Sequence, residues 1–310
     1  CNLSGNTALK WLDQQTLIIG AGPAGISAAI YGKSRGKKVL VLEKNKIGGL
    51  IGNVSTVTHY TAIVKEESGR SFAERMREQA LSAGVEIRIE NVTGTKLTGE
   101  TKQIFTDKGS YESQAVILAN GGSGRMLGIP GEGLPGVRLN ALKDDPDYRG
   151  RNVYVIGGAD GAVKEALYLS GIADRVTVVC VEDELACIPE FKDKVAKRDN
   201  IRIMPHSSLT AVYGSDRAEE LEFTDNRTGE KHTVQDAQCG VFVYAGIVPN
   251  TQIYGELKLE DGYIPTDDSM RTEIPGVFAA GDIRVKKVRQ VATAVADGAI
   301  AGIHAAVMCR

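Results

Sequence analysis

Hydrophobic positions near the N-terminus fall into short runs separated by a helical pattern. An apolar run over 16–20 is typical of a buried parallel strand, and a glycine-rich turn leads from it into a helical pattern over 26–31. A second apolar run follows over 38–43. Strand, helix and strand in this order predict a βαβ unit.

The same pattern returns in the middle of the chain. A strand is predicted over 153–157, a helix over 163–170 and a second strand over 175–180, with a glycine-rich turn between the first two elements. One glycine-rich turn is a weak signal, but two of them in equivalent settings are a strong one. The duplication predicts two dinucleotide-binding folds in one chain.

The remaining elements indicate how the two units are connected. A helix is predicted over 71–83, with Ser71 as its N-cap and Gly84 just beyond its end. Short strands and turns are predicted over 257–271. A buried strand over 277–280 and an Ala-rich helix over 290–307 complete the first unit from the C-terminal end of the chain. We therefore expect an α/β protein with two Rossmann-like, three-layer ββα dinucleotide-binding domains, the second inserted into the first. The predicted bounds are 1–122 with 246–310 for the first domain and 123–245 for the second.

Composition narrows the class of protein. The 37 basic and 39 acidic residues nearly cancel and form no long block of one sign, so charge gives no reason to expect nucleic acid or a membrane surface as a partner. The uncharged stretch over 16–32 is short for a membrane span and rich in glycine. Five dispersed cysteines without a C-x-x-C spacing, beside only four histidines, predict a cytoplasmic protein with no metal site.

The first glycine-rich turn carries the clearest chemistry. Gly20, Gly22 and Gly25 supply a tight turn, room for a pyrophosphate and close packing of helix on strand. The helix that begins near Pro23 offers free N–H groups and the positive end of its dipole to that pyrophosphate. Glu43, at the end of the second strand, is placed to accept hydrogen bonds from an adenosine ribose.

A second candidate group follows the strand over 277–280. Gly281 and Asp282 lie at its carboxyl end, and an Asp at such a position can hold a polyol such as a ribityl chain. A helix that begins near Gln290 can stabilise negative charge on a reduced flavin.

The motifs in this order resemble those of the low-molecular-weight thioredoxin reductase family of two-domain flavoproteins. The resemblance runs from Gln15 to the end of the chain and rests on Gly20–Gly25, Gly48-Gly49, Arg125–Gly131, Gly246–Asn250, Gly281-Asp282 and Arg289-Gln290-Val291. It implies FAD in the first domain, a homodimer, and a second domain that binds NADPH in relatives. The cofactor-binding residues that it implies are Gly20, Gly22, Pro23, Ala24, Gly25, Glu43, Gly48, Gly49, His59, Val92, Gly121, Gly281, Asp282, Arg289, Gln290 and Val291.

The chain departs from the family at the redox-active cysteine pair. Relatives carry Cys-x-x-Cys shortly before the second glycine-rich strand, and counting back from Arg149-Gly150 puts Asn140 and Lys143 at those positions. Neither side chain can form a disulfide or accept electrons. The family route to thioredoxin is therefore predicted to be absent, and Cys180 and Cys187 are expected to be inert thiols rather than replacements for the pair.

The second nucleotide motif also departs from the family. Ala159 stands where relatives have the glycine that lets a pyrophosphate approach, and 180–186 carries Glu182, Asp183 and Glu184 where a basic cluster would grip a 2′-phosphate. NADPH binding is therefore not expected. NADH binding is doubtful, with Glu182 as its conceivable ribose acceptor.

Near the flavin the sequence leaves one position open. Register puts His59 in a segment that passes the flavin edge in relatives, where it could tune or protonate a reduced flavin. The more common case is an ordinary surface or core histidine without such a role. The catalytic residues are not identified by the sequence.

Three functions remain open. The first is a flavin-dependent oxidoreductase that takes electrons from a protein donor such as ferredoxin or flavodoxin, as in the ferredoxin-dependent members of the family. The second is a ferredoxin–NAD(P) reductase of thioredoxin-reductase type, and the third is a non-catalytic flavin-bound interaction or sensor protein.

Overall fold

A computed structural model describes residues 14–139 and 148–309, and these residues form two compact units. The first unit takes residues 14–52, 57–123 and 248–309 of the described chain. The second takes 53–56 and 124–247, apart from the undescribed 140–147. The second unit is thus inserted into the first, and the predicted α/β fold with two Rossmann-type sheets is confirmed.

Strand and helix alternate at the start of the parallel sheet of each unit, and runs of consecutive strands follow. The strands are β1 (Gln14–Ile19), β2 (Val39–Glu43), β3 (Glu86–Ile89), β4 (Val92–Lys96), β5 (Lys102–Thr106), β6 (Gly109–Leu118), β7 (Gly122–Gly124), β8 (Val137–Arg138), β9 (Asn152–Ile156), β10 (Arg175–Val179), β11 (Ile201–Met204), β12 (Ser207–Tyr213), β13 (Glu220–Asp225), β14 (Lys231–Gln235), β15 (Gly240–Val243), β16 (Ile247–Pro249) and β17 (Val277–Ala279). The helices are α1 (Pro23–Lys33), α2 (Gly69–Ser82), α3 (Asp160–Leu169), α4 (Pro189–Val195) and α5 (Val291–Met308), with a short 3-10 helix over Gly49–Asn53.

The first unit is built on a seven-stranded sheet. Five parallel strands run in the order β3-β2-β1-β6-β17. The amino-terminal part of β6 pairs antiparallel with β5, and β5 pairs antiparallel with β4. The apolar runs that predicted β1, β2 and the end of β6 are buried, as continuous hydrophobic strands of a covered parallel sheet should be. The carboxyl ends of β1, β2, β6 and β17 therefore lie along one edge.

Helices α1 and α5 pack closely because small residues face each other. A Cβ on Gly298 would lie 2.1 Å from the carbonyl oxygen of Ala24, and a Cβ on Gly302 would lie 2.4 Å from that of Ala28. By length and composition α5 could cross a membrane, and it is the only helix of this kind among the described residues. Its glycine contacts with α1 give a second reason for the apolar composition, since one side of the helix packs into the unit.

The second unit repeats the parallel core and adds a small antiparallel sheet. Its parallel sheet has the order β11-β10-β9-β15-β8, and β12, β13 and β14 form a three-stranded antiparallel sheet. Buried side chains on α3 and β9, among them Val163 and Val155, pack together in its core.

Two sequence predictions need correction in detail. The helix predicted over 71–83 begins at Gly69, and its N-cap is Ser68 rather than Ser71, because the Ser68 side chain accepts a hydrogen bond from Ser71 N at 3.1 Å. The short strands expected within 257–271 are reduced to isolated bridges, such as the one between Glu260 and Tyr263. Hydrophobic alternation over so short a stretch does not separate strand from turn.

Candidate functional site

The first glycine-rich turn is closed by contacts that leave no room for side chains at two of its three glycines. Gly20 has φ +103°, and a Cβ there would lie 2.6 Å from the Ala119 carbonyl oxygen. A Cβ on Gly25 would lie 1.9 Å from the Gly20 carbonyl oxygen, so only glycine lets α1 pack against β1. Gly22 is different, because its Cβ would meet nothing closer than Gly49 Cα at 3.9 Å. The space beside Gly22 is open to a ligand.

Glu43 is held beside this turn at the end of β2. Its Oε2 accepts a hydrogen bond from Ala21 N at 2.8 Å, and its Oε1 accepts one from Asn45 N at 2.9 Å. Each carboxylate oxygen keeps further acceptor capacity, so the group can still receive ribose hydroxyls.

The Gly48-Gly49 pair packs against the same turn. Gly48 N donates to the Ala21 carbonyl oxygen at 2.9 Å, and both glycines have positive φ, +116° at Gly48 and +58° at Gly49. A Cβ on Gly49 would lie 3.3 Å from Gly22 Cα. The pair therefore forms one wall of the space beside Gly22.

Asp282 follows β17 and carries an unpartnered oxygen. Its Oδ1 is buried and has no hydrogen-bond partner among the described residues. Burial raises the pKa of the Asp282 carboxyl, while the charges of Lys286 and Arg289 act to lower it. A buried acceptor without a partner is costly, and a ligand hydroxyl would satisfy it. Gly281 has φ +80°, and a Cβ there would lie 2.9 Å from Ala24 Cβ, which brings Asp282 next to the start of α1.

The segment before α5 presents a cation at the same edge. The Arg289 guanidinium carbon lies 4.1 Å from the centre of the Tyr263 ring, and Arg289 Nε is buried without a hydrogen-bond partner in the part of the chain described. Gln290 is the N-cap of α5, and its N–H donates to Thr293 Oγ1 at 3.2 Å. Val291 is the first helical residue.

These groups fit an elongated dinucleotide with a polyol in its middle. The open space beside Gly22 suits a pyrophosphate, Glu43 suits a ribose, and the free oxygen of Asp282 suits a chain of hydroxyl groups. All three lie at the carboxyl ends of neighbouring parallel strands, where ligands of open α/β sheets bind.

Two further residues lie at this strand edge. Gly121 follows β6 with φ +55°, and Val92 begins β4, two residues after Glu90, whose N–H bonds to the Glu43 carbonyl oxygen at 2.9 Å. Val92 is partly buried against the core of the unit.

His59 has a different environment from the other predicted site residues. It is exposed, and its Nδ1 lies 3.2 Å from Thr58 Oγ1. Tyr60 beside it packs edge-to-face on Phe72, with ring centres 5.3 Å apart. The exposure of the ring agrees with the interpretation of His59 as an ordinary surface histidine.

In the second unit a carboxylate lies against the glycine-rich turn. A Cβ on Gly158 would lie 2.8 Å from Cys180 Cβ and 3.4 Å from Glu182 Oε2. Ala159 is the N-cap of α3, and the Asp160 side chain accepts a hydrogen bond from Ile188 N at 2.8 Å. The turn thus has a methyl group at the start of its helix and an acid beside its backbone.

Two more acids continue this negative surface. Asp183 is 92% exposed and pairs with His206 at 3.2 Å, while Glu184 is 78% exposed and pairs with Lys192 at 3.1 Å. A 2′-phosphate approaching Glu182 would meet carboxylates on both following residues.

The described cysteines have the properties of unreactive thiols. Cys180, Cys239 and Cys309 are buried and Cys187 is partly buried, all four in the free thiol form. Burial raises the pKa of each thiol, to about 11 at Cys239. A thiol must ionise to act as a nucleophile, so none of the four is poised for disulfide chemistry. Asn140, Lys143 and Cys1 lie outside the described residues.

A polar network behind Gly121 was not predicted from the sequence. Asn120 Nδ2 donates to the Asn250 carbonyl oxygen at 2.8 Å, and Asn250 Nδ2 donates in return to the Asn120 carbonyl oxygen at 2.7 Å. The hydroxyl of buried Tyr254 donates to Asn120 Oδ1 at 2.7 Å. No local pattern links residues 130 positions apart, although Asn250 closes one of the motifs noted above.

A buried ion pair between Lys286 and Asp297, with Nζ and Oδ2 2.7 Å apart, was not predicted from the sequence either. A signal existed, because Asp297 is the one charged residue in the Ala- and Gly-rich sequence of α5.

Known proteins share this fold and sequence over most of the chain. The model of the pyridine nucleotide-disulphide oxidoreductase family matches residues 14–298. A thioredoxin reductase of Peptoclostridium acidaminophilum is 40% identical over 297 residues, which cover 93% of this chain and 94% of the relative. A 34.2 kDa protein in the rubredoxin operon of Clostridium pasteurianum is 37% identical over 295 residues, 93% and 95% of the two chains. Among solved structures, thioredoxin reductase of Lactococcus lactis aligns with a TM-score of 0.91 at 34% identity and covers 96% of this chain and 99% of its own.

Fold and site together define a flavin-dependent oxidoreductase with two dinucleotide-binding units. More particularly, the chain belongs to the pyridine nucleotide-disulphide oxidoreductase family and is thioredoxin reductase-like. The thioredoxin reductases among its homologues are flavoproteins that use FAD.

Proposed function

We propose that this flavoprotein works without the redox-active disulfide of thioredoxin reductases and takes its electrons from a protein donor such as ferredoxin rather than from NADPH. The observation that carries the proposal is the contrast between the two glycine-rich turns. The first has open space beside Gly22, and the neighbouring Gly281 turn offers an unpartnered acceptor at Asp282. The second turn has Ala159 at the helix N-cap, where the first has Gly22, and the Glu182 carboxylate beside Gly158.

The first unit would hold FAD at the edge described above. The pyrophosphate would lie beside Gly22 at the start of α1, with Pro23, Ala24 and Gly25 forming the first turn, and Gly48 and Gly49 opposite. Glu43 would accept from the adenosine ribose, with Val92 near the adenine and Gly121 near the flavin. Asp282 would accept from the ribityl chain, with Gly281 shaping its turn.

When bound, FAD supplies the ability to accept electrons from one partner and pass them to another. The Arg289 charge and the amino end of α5, at Gln290 and Val291, would stabilise negative charge on the reduced ring. His59, being exposed, is left without an assigned role in this step.

The absence of a usable dithiol follows from the cysteines. Asn140 and Lys143 occupy the positions of the family pair, and the four described thiols have raised pKa values. The acceptor of this protein therefore differs from a thioredoxin disulfide reached through that pair.

Electrostatics argue against NADPH as donor. A 2′-phosphate in the second unit would face Glu182, with Asp183 and Glu184 beside it and no basic cluster in the same segment. Unit like charges about 4 Å apart repel by about 1 kcal/mol in bulk water and by about 4 kcal/mol at the effective dielectric of a protein surface. One relative is known by its place in a rubredoxin operon, which supports a search for a protein electron carrier as donor.

An anaerobic titration tests the donor. The purified flavoprotein is mixed in turn with NADH, NADPH and chemically reduced ferredoxin, and bleaching of the flavin absorbance is followed. We expect ferredoxin to bleach the flavin and NADPH to leave it oxidised over the same time. Rapid bleaching by NADPH would overturn the proposal.

Two other outcomes of this titration identify the alternative functions. Reduction by both ferredoxin and NADH would indicate a ferredoxin–NAD(P) reductase of thioredoxin-reductase type, in which Glu182 accepts from a ribose that lacks the 2′-phosphate. Failure of every donor to reduce the flavin would favour a non-catalytic interaction or sensor protein. The homodimer that the resemblance implies is checked by gel filtration with light scattering.

A further inference from the structure

Asp297 lies at the centre of a buried charge cluster that touches the Asp282 turn. Its Oδ2 accepts a hydrogen bond from Gly281 N at 3.1 Å and one from Lys286 Nζ at 2.7 Å. Its Oδ1 lies 3.7 Å from a terminal nitrogen of Arg284. The side chains of Asp297 and Lys286 are 10% and 8% exposed, so solvent does little to screen the pair.

Lys286 has two carboxylates within its electrostatic reach. It is paired with Asp297, and its charge also lowers the pKa of Asp282. Yet Asp282 Oδ1 has no partner among the described residues. A buried ammonium group must keep a counter-charge, so the carboxylate that holds Lys286 decides whether Asp282 stays free.

We infer that Asp297 is a positioning residue for the flavin: by holding Lys286 it keeps the Asp282 carboxylate unpaired and open to a ligand hydroxyl. The Asp297 carboxylate also accepts the hydrogen bond of the Gly281 N–H. One residue of α5 therefore holds both the turn that carries Asp282 and the lysine that could pair with Asp282. Without the charge at position 297, Lys286 pairs with Asp282 and competes with the ribityl chain. This inference rests on the proposed position of FAD at Asp282, and not on the identity of the electron donor.

The test measures FAD affinity of the flavin-stripped protein by quenching of flavin fluorescence. Asp297→Asn keeps the shape of the side chain and an oxygen for Gly281 N but removes the charge. We expect its dissociation constant for FAD to rise by about tenfold or more, as for loss of one charge-assisted hydrogen bond. Adding Lys286→Met removes the competing cation, and the double variant should recover to within about threefold of the wild type.

A matched control separates this effect from general damage. Lys287→Met, at the exposed neighbouring lysine, removes one positive charge from the same loop and should give no recovery in the Asp297→Asn background. The inference is overturned if Asp297→Asn binds FAD like the wild type, or if Lys286→Met brings no recovery. If Asp297→Asn alone does not fold, the double variant is compared with Lys286→Met alone. Equal FAD affinities are then expected because Asp297 acts through the lysine, and a weaker affinity of the double variant would overturn the inference.

A third variant separates failure of this inference from failure of the FAD assignment. Asp282→Ala removes the acceptor and should weaken FAD binding by itself, and adding Asp297→Asn should weaken it no further, because Asp297 acts through Asp282. Normal FAD binding by Asp282→Ala would show that the assigned position of FAD is wrong. Additive losses would leave that position standing and overturn the role of Asp297.

Discussion

Single atoms decide what the glycine-rich turn of the first unit can accept. Gly22 and Gly25 are both required by the same sequence motif, but for different reasons. A methyl group at Gly25 would overlap the Gly20 carbonyl oxygen, whereas one at Gly22 would point into open space. A side chain at position 25 therefore interferes with folding, whereas one at position 22 interferes with ligand binding.

We predict opposite outcomes for two alanine variants of this turn. Gly22→Ala, at φ −76°, should leave the melting temperature of the flavin-free protein unchanged but should abolish most FAD binding, because its methyl group fills the pyrophosphate space. Gly25→Ala should lower both, since its Cβ lies 1.9 Å from a backbone oxygen. Differential scanning fluorimetry and flavin absorbance measure the two effects. Normal FAD binding by Gly22→Ala would contradict the placement of the pyrophosphate.

Glu165 is a residue whose environment opposes its charge. It is buried in α3, and its Oε1 accepts hydrogen bonds from Ser55 N at 3.0 Å and Ser55 Oγ at 3.1 Å, while its Oε2 has no partner among the described residues. Burial raises the pKa of this carboxyl above its usual value of 4.5, against the lowering effect of Ser55 and Lys164.

The raised pKa predicts a pH-dependent contribution to stability. The folded protein binds the Glu165 proton more tightly than the unfolded chain, so this contribution is present below the unfolded pKa near 4.5 and is lost as pH rises through the folded pKa. Glu165→Gln does not titrate. The free energy of unfolding of this variant should therefore increase relative to that of the wild type as pH rises from about 4.5 to about 8. Urea unfolding at several pH values checks this, and a pH-independent difference would refute it.

At the scale of elements, the packing of α5 on α1 brings distant parts of the chain together. Gly298 and Gly302, four residues apart on α5, let its backbone approach that of α1. This contact places the amino end of α5 and the Gly281 turn beside the first turn of α1.

We predict that the contact between α5 and α1 tolerates no added methyl group. Gly298→Ala should lower the free energy of unfolding by about 1–3 kcal/mol, the usual cost of overpacking, because its Cβ would lie 2.1 Å from the Ala24 carbonyl oxygen. Ala296→Ser, at an exposed position of the same helix, should change it by less than about 0.5 kcal/mol. Chemical denaturation of both variants gives the comparison, and equal effects would show that the helices do not pack as described.

At the scale of the whole molecule, the chain leaves the first unit and returns to it at neighbouring positions. Asn250 N donates a hydrogen bond to the Gly121 carbonyl oxygen at 3.0 Å, and both residues belong to the first unit. A short connection can therefore replace the whole inserted segment.

We predict that the first unit binds FAD by itself. Replacing residues 124–247 with a Gly-Ser linker of about four residues should leave a folded protein with a flavin spectrum, since all proposed FAD-contacting residues lie outside the segment removed. A folded protein that binds no flavin, with the full chain tested in parallel, would contradict the assignment of the cofactor to this unit. The flavin absorbance of the purified protein is the readout.

The sequence by itself determined the fold class and the chemical type of the site. Buried parallel strands require continuous apolar runs, and a pyrophosphate at a strand–helix turn requires glycine, so both leave local patterns that can be counted along the chain. β1, β2, β9, β10 and α1 were predicted from such patterns within a few residues of their observed bounds. That Asn140 and Lys143 stand in place of a cysteine pair is a prediction from the sequence alone, and both residues lie outside the described part of the chain.

Only the tertiary structure decided how these groups are held. Three features depend on hydrogen bonds whose geometry the sequence pattern does not specify. They are the N-cap at Ser68, the pairing of Asn120 with Asn250, and the contacts of Asp297 with Lys286 and Gly281. The unpartnered oxygen of Asp282 and the carboxylate of Glu182 beside Gly158 became visible in the same way. Sequence periodicity reports which side of an element is buried, but the partner of a buried polar group is set by long-range packing.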